Sequence, residues 1–227
     1  MISRYIKSRF PSLSPLLASL RSVRFELRLL FYHIRNNSFR LHRQLLTKNK
    51  LHFGAGHDMK PGFINIDING LADLFLDARA KLKIPDDSIE YIYSSHFVEH
   101  LKHEELVFHL KECYRFLKPG GVLRIGVPEF PKVFKSYCMG DQKWLEDRRQ
   151  ALSKSLKLPP ELICAMDYVN NSVHENGEHH ICLDLEKIRN LLIFAGFTPS
   201  KVNASEFNLE IDVASREAVT FHVEAVK

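Results

Sequence analysis

The stretch NKLHFGAGHDMKPGFINIDI, residues 49–68, holds two glycines and an aspartate whose types and order suit nucleotide chemistry. Gly54 and Gly56 lack a Cβ, so the backbone there can turn tightly and come close to a ligand. Asp67 closes the apolar run that follows, and a carboxylate there offers two acceptor oxygens. The interval between them is short. Asp67 lies 11 residues past Gly56, whereas a dinucleotide fingerprint carries a third glycine and places its acid about 20 residues on. A further aspartate, Asp77, ends the run ADLFLD.

Histidines form a second group. His96 and His100 in HFVEH match the H-x-x-E-H pattern of certain zinc proteases. On a helix they would share one face, as zinc ligands do. That motif belongs in a long helix with a third ligand downstream, and here it directly follows an apolar run, so no metal is expected. His174, His179 and His180 lie in the polar VHENGEHH. His103 and His109 are expected on a helix surface, and His52, inside an apolar run, is expected to pack. The four cysteines are far apart and form no C-x-x-C pair. That argues against a disulfide framework and fits a reducing compartment.

The elements that must carry these residues alternate in type. LHFGA (51–55), FINIDI (63–68), ADLFLD (72–77), IEYIYSS (89–95) and VLRIGVP (122–128) read as strands. A helix is expected over 104–117, with Leu106, Leu110, Cys113 and Leu117 on one face and KPGG as its stop. A later helix over 183–197 has Asp184 as N-cap and Gly196 as C-cap. KVNASEFNLEI and AVTFHVEAVK supply two closing strands. Alternating strands and helices predict an α/β fold, a mainly parallel sheet with helices on both faces. In such sheets ligands sit beyond the carboxyl ends of the strands. The segments that matter are therefore 54–57, Asp67, Asp77, 94–100 and 128–129. Residues 131–180 show only scattered helical pieces and a polar, His-rich stretch.

Charge separates the first part of the chain from the rest. The net charge of +5 is the sum of two unlike parts. Residues 1–50 hold 11 Lys/Arg and one acid, Glu26, for +10, while the remainder holds 21 basic and 26 acidic residues, for −5. Apolar residues recur at helical spacing from Leu13 to Ile34, with Arg21, Arg24, Arg28 and Arg35 mostly off that stripe. Pro11 and Pro15 mark where the helix begins. Residues 1–48 thus form a basic amphipathic extension. It either docks on the domain with a solvated basic face or lies on an anionic membrane surface. A mitochondrial transit peptide is a third reading. Nucleic acid is not expected, because the basic residues lack interleaved aromatic platforms. No apolar run approaches the 18 or so residues a membrane span needs.

Four segments, LHFGAG…GFINIDI, FLDARAKLKIPDDSIEYIYSSHFVEHL, ECYRFLKPGGVLRIGVPEF and GEHHICLDLEKIRNLLIFAGF, resemble class I S-adenosylmethionine-dependent methyltransferases, more narrowly the type 11 relatives. The resemblance covers about residues 50–227. It implies a Rossmann-like, seven-stranded sheet in order 3-2-1-4-5-7-6 with strand seven antiparallel, and a domain over 49–227 whose segment 131–180 lies on the acceptor side. It implies S-adenosylmethionine bound by Gly54, Ala55 and Gly56, by Asp67 at the ribose, and by Asp77 and Ala78 at the adenine. Ser94, Ser95 and His96 would stand near the methionine and sulfonium end. SSHFVEHL is also what this family carries after strand four.

Methyl transfer is an in-line displacement, so much of the enzyme's task is positioning. A hydroxyl acceptor, small molecule or glycan, also needs a base. His180 is the first candidate, then His96, then Glu129. The alternatives are a non-catalytic cofactor-binding or membrane-associated relative, and a nicotinamide-dependent oxidoreductase. Against the oxidoreductase stand the missing third glycine and the KPGGVLRIGVP segment. A cytoplasmic protein, peripheral at the inner face of the membrane through residues 1–48, is the expected setting.

Overall fold

The computed structural model describes residues 14–68 and 71–227, so Pro11 and Leu13, at the expected start of the arm helix, lie outside the described residues. Seven strands form one sheet: β1 (Lys50–Phe53), β2 (Ile64–Asp67), β3 (Leu74–Phe75), β4 (Ile89–Ser95), β5 (Leu117–Pro128), β6 (Val202–Ser205) and β7 (Thr220–Val226). Their order is β3-β2-β1-β4-β5-β7-β6. The β1–β2, β1–β4, β2–β3 and β4–β5 pairs are parallel, and β7 runs antiparallel to both β5 and β6. The register places Phe53 beside Ile66 on one side and beside Ser94 on the other. The carboxyl ends of β1, β2 and β4 therefore open at one level.

Strand ends differ from the sequence expectation for local reasons. β1 stops at Phe53 because Gly54 takes a left-handed φ of +68°. β3 keeps only two residues. KPGG does not close a helix as a turn. The helix ends at Phe116 and β5 already begins at Leu117, which pairs with Ile89. Gly120 and Gly121 continue that strand by exchanging backbone hydrogen bonds with Lys227.

The helices follow as α1 (Ser14–Arg35), a π-helical turn (Asn36–Arg40), α2 (Leu41–Leu45), α3 (His103–Phe116), α4 (Phe130–Cys138), α5 (Gln142–Leu156), α6 (Ala165–His174) and α7 (Leu185–Ala195). α7 begins where Asp184 accepts a hydrogen bond from the Lys187 N–H at 2.7 Å, and it ends at Gly196, φ +120°. α3 and α7 pack on each other and on the sheet. Leu106, Leu110, Ile188 and Leu192 meet Leu51, Ile92 and Ile125 in a continuous buried core. Burying one such side chain contributes about 1.5–3 kcal/mol. His109, expected on the surface, is 2% exposed. It shares the α3 face of Leu106 and Cys113, and its ring lies edge-on to Phe53 at 4.8 Å.

The connections from β1 to β2 and from β2 to β3 carry no helix among the described residues. The sheet face beneath them is polar. His52 is hydrogen-bonded to Asn65 at 3.1 Å, and Lys60 lies over the Tyr93 ring at 4.9 Å. Further along, buried Arg124 pairs with Asp212 and, at 2.8 Å, with Glu224.

The arm is fastened to the domain most firmly at its C-terminal end. Asn36 donates to Phe75 O at 2.9 Å, and Asn37 donates to Lys81 O at 2.9 Å while accepting from the Lys83 N–H at 2.7 Å. Both asparagine side chains are buried, so these bonds act as a latch. Leu41 completes it inside the core.

Candidate active site

A cleft of about 960 Å³ opens at the carboxyl ends of β1, β2 and β4. Gly54, Ala55, Gly56, Asp67, Asp77, Ala78, Ser95 and His96 all line it. Ser94 does not. Strand residues alternate faces, and Ser94, opposite Phe53, is turned toward the α3 side, with its buried Oγ lacking a hydrogen-bond partner.

The glycine turn and the β2 acid are joined directly, because the Gly56 N–H donates to Asp67 Oδ2 at 2.8 Å. The short interval noticed in the sequence is what permits this: residues 57–63 form turns and no helix, and they return the chain straight into β2. Gly54 is held by its N–H to Ile66 O at 3.0 Å. A Cβ there would stand 2.6 Å from the Phe97 Cβ. At Gly56, φ +52°, no atom of the described residues lies within 4 Å of the place a Cβ would take, so bare backbone faces the cleft. Asp77 is gripped by Arg79, whose Nε and Nη2 each donate to it at 2.9 Å. The Asp77 N–H donates to His33 Nδ1 of the arm at 3.2 Å. Phe25 of α1 also lines the cleft. The arm's part in the site has no motif and was not legible in the sequence.

His96 stands where two cavities meet. It lines the large cleft and also a second cavity of about 160 Å³. That second cavity is walled by Glu129 after β5, Trp144 and Arg148 of α5, Tyr168 and Asn171 of α6, and His179 in the segment after α6. The hard-to-read segment 131–180 thus builds its wall. His96 has a left-handed φ of +52°, unusual for a residue with a Cβ. Its N–H bonds to Gly126 O at 2.9 Å and its Nε2 lies 2.7 Å from Thr220 Oγ1. Burial, and then the nearby Arg216 charge, push its pKa down to about 3. The ring is therefore neutral and a weak base.

Glu99 is 0% exposed, and neither carboxylate oxygen has a hydrogen-bond partner among the described residues. His96 Nδ1, at 3.7 Å from Oε1, is too far for one. Burial raises the Glu99 pKa to about 7. His180 is exposed at the cleft rim, and its backbone N–H bonds to Glu99 O at 2.9 Å. Glu129 lines the second cavity, with Oε2 3.8 Å from Lys132 Nζ.

The strand order, the Gly-x-Gly turn after β1 and the acid ending β2 define the class I methyltransferase sheet and its cofactor cleft. Residues 54–125 match the family model described as a methyltransferase domain. Among solved structures it is similar to an S-adenosylmethionine-dependent methyltransferase from Archaeoglobus fulgidus, with 17% identity, 91% of this chain and 99% of that one covered, and a TM-score of 0.48. A Thermotoga maritima methyltransferase is similar at 16% identity, 90% and 99% coverage and a TM-score of 0.45. One from Mesorhizobium loti is similar at 15% identity, 84% and 98% coverage and a TM-score of 0.44. No curated protein matches the sequence.

The cleft residues fit S-adenosylmethionine, which supplies an electrophilic methyl group when bound. The open backbone at Gly56 gives a close surface, and the β2 carboxylate held to that backbone presents acceptor oxygen at the cleft. His96, rigid and neutral, stands between this cleft and the cavity beside it.

Proposed function

We propose that this enzyme methylates a hydroxyl oxygen of a small-molecule or glycan acceptor, in the cytoplasm at the inner face of an anionic membrane. The observation that carries the acceptor reading is the second cavity, joined to the cofactor cleft at His96. Trp144 and Tyr168 meet edge-on at 4.3 Å, and Arg148 lies 5.4 Å from the Trp144 ring. Apolar faces with polar tips suit the ring and hydroxyls of a sugar. Asp67 and the 54–56 backbone hold the ribose side of the cofactor, and Asp77 and Ala78 the adenine side. Of the three candidate bases, His180 has the imidazole open to the cleft. His96 positions the acceptor, and Glu129 faces the acceptor cavity.

The arm supports the membrane reading. Leu20, Val23, Leu27, Leu30, Phe31 and Ile34 are each 56–63% exposed and recur at helical spacing. Arg24, Arg28 and Arg35 accompany them on the same helix. This is the composition of a helix lying in an anionic interface. No helix among the described residues is long and apolar enough to cross a membrane.

The central test measures S-adenosylhomocysteine release with a panel of free sugars, lipid-linked glycans and amines. Turnover restricted to amines would overturn the oxygen reading. Full turnover by His180→Ala would remove His180 as the base. For the arm, full-length protein is floated with vesicles of anionic or zwitterionic lipid. Flotation with the anionic set alone, weakened by salt, is expected, and no flotation with either would refute membrane docking.

A further inference from the structure

We propose that Glu99, His100 and His179 bind one divalent transition cation of the zinc class, in the wall between the cofactor cleft and the acceptor cavity. One ligand atom from each residue lies within 4.8 Å of the other two. Carbonyl oxygens settle the histidine tautomers, because a carbonyl only accepts. His179 Nδ1 is 2.7 Å from Ser172 O, and His100 Nδ1 is 3.2 Å from Glu178 O. Each ring therefore carries its proton on Nδ1, and in the neutral form each presents a lone pair at Nε2. Metal-bound imidazoles are oriented in this way, with the second nitrogen donating to a carbonyl or carboxylate.

Glu99 supplies an independent observation. Its carboxylate is fully buried and neither oxygen has a hydrogen-bond partner among the described residues. Buried carboxylates are kept paired or metal-bound, because an isolated charge in a dry site is unfavourable. A cation between Glu99 and the two imidazoles would satisfy all three. Glu175 points to the same need for positive charge. Its Oε2 is 2.6 Å from His179 Nε2, a contact that favours the imidazolium over the neutral ring and that a metal ion at Nε2 would replace. At metal–ligand bonds of about 2.0–2.1 Å, tetrahedral donors stand about 3.4 Å apart, so small side-chain rotations close the set.

Two imidazoles and one carboxylate favour zinc, cobalt or nickel over magnesium or calcium, which prefer all-oxygen shells. Three protein ligands leave one position open, as in catalytic zinc sites. His100 lines the cofactor cleft and His179 the acceptor cavity, so that position faces where the two meet. An acceptor hydroxyl bound there is oriented by its oxygen and made more acidic. This role rests on the methyl-transfer reading above; the binding of the ion does not. The H-x-x-E-H string thus contributes its glutamate and second histidine. His96 is displaced from them by its left-handed backbone, and only Val98–His100 form a helical turn.

Full-length protein is stripped with a chelator, dialysed and titrated calorimetrically with zinc chloride, with magnesium chloride as control. One zinc per chain and no magnesium response are expected. Glu99→Gln and His179→Ala should each weaken zinc binding at least tenfold, while His174→Ala leaves it unchanged. Metal-free Glu99→Gln, which replaces a buried carboxyl group that no hydrogen bond satisfies, should melt no lower than metal-free wild type. A merely structural carboxylate would give a lower melting point. No zinc heat from wild type, or zinc binding that survives both Glu99→Gln and His179→Ala, overturns the proposal. The same metal-free sample is titrated with S-adenosylhomocysteine. Cofactor heat without zinc heat sinks the metal site alone, and zinc heat without cofactor heat sinks the methyltransferase reading alone.

Discussion

At the scale of single residues, the two glycines of the first turn do different work. Both have left-handed backbones, but only Gly54 is enclosed. Gly54→Ala forces a methyl group against Phe97 and should cost about 2–4 kcal/mol of stability, measured by urea unfolding. Gly56→Ala has room, so its cost should stay near 1 kcal/mol. Its methyl group projects into the cleft instead, and calorimetry should show cofactor affinity falling more than stability does. Asp67→Asn removes the charge that accepts the Gly56 N–H, and hydrogen bonds to charged groups are worth about 1.5–3 kcal/mol. It should therefore lower cofactor affinity roughly ten- to a hundredfold. His52 and His109 set an acid limit on stability. Burial pushes each down to about 4 in the folded chain, from 6.5. Between those values the unfolded chain binds more protons, so stability is full above about 6.5 and falls as pH drops toward 4. Urea midpoints at pH 7 and pH 5 should show this loss, and His109→Gln should make it smaller.

At the scale of elements, the arm is fastened by a latch, rests on β3 and the cleft rim through one face, and leaves its apolar stripe exposed. Asn37 bonds both to Lys81 O and to the Lys83 N–H. Asn37→Ala leaves those buried groups unpaired, which costs about 1–3 kcal/mol. Faster amide exchange across α1 and α2 is the expected reading, with α3 and α7 unchanged. Because His33 accepts from the Asp77 N–H and Phe25 lines the cleft, the same variant should also weaken cofactor binding. Equal exchange in variant and wild type would remove the latch. The connections between β1, β2 and β3, which carry no helix among the described residues, have a related consequence. Polar side chains cover that sheet face, so its stability depends on pairing as well as on apolar area.

At the scale of the whole molecule, Arg124 ties the closing strands to the sheet. It is 1% exposed, bonded to Asp212 on the late loop, to Glu224 on β7 and to Glu206 O. Arg124→Ala leaves Asp212 buried without its cation and should cost about 3–5 kcal/mol, read as a lower denaturant midpoint. A change within 1 kcal/mol would show that the loop relaxes to solvate Asp212. The order of all seven strands followed from the family resemblance. Sequence alone determined where the first five strands fall, the α7 caps at Asp184 and Gly196, and the glycine and aspartate pair of the cleft. Those depend on local signals: apolar period, the conformational freedom of glycine, and short-range capping. It did not determine that His109 is buried, that Ser94 turns away while Ser95 faces the cleft, or that KPGG extends a strand. Nor did it determine that Phe25 and His33 reach the site, or that Glu99 and His100 meet His179. Each of these contacts joins residues far apart in the chain or depends on register across the sheet, and the packed sheet decides which of them form.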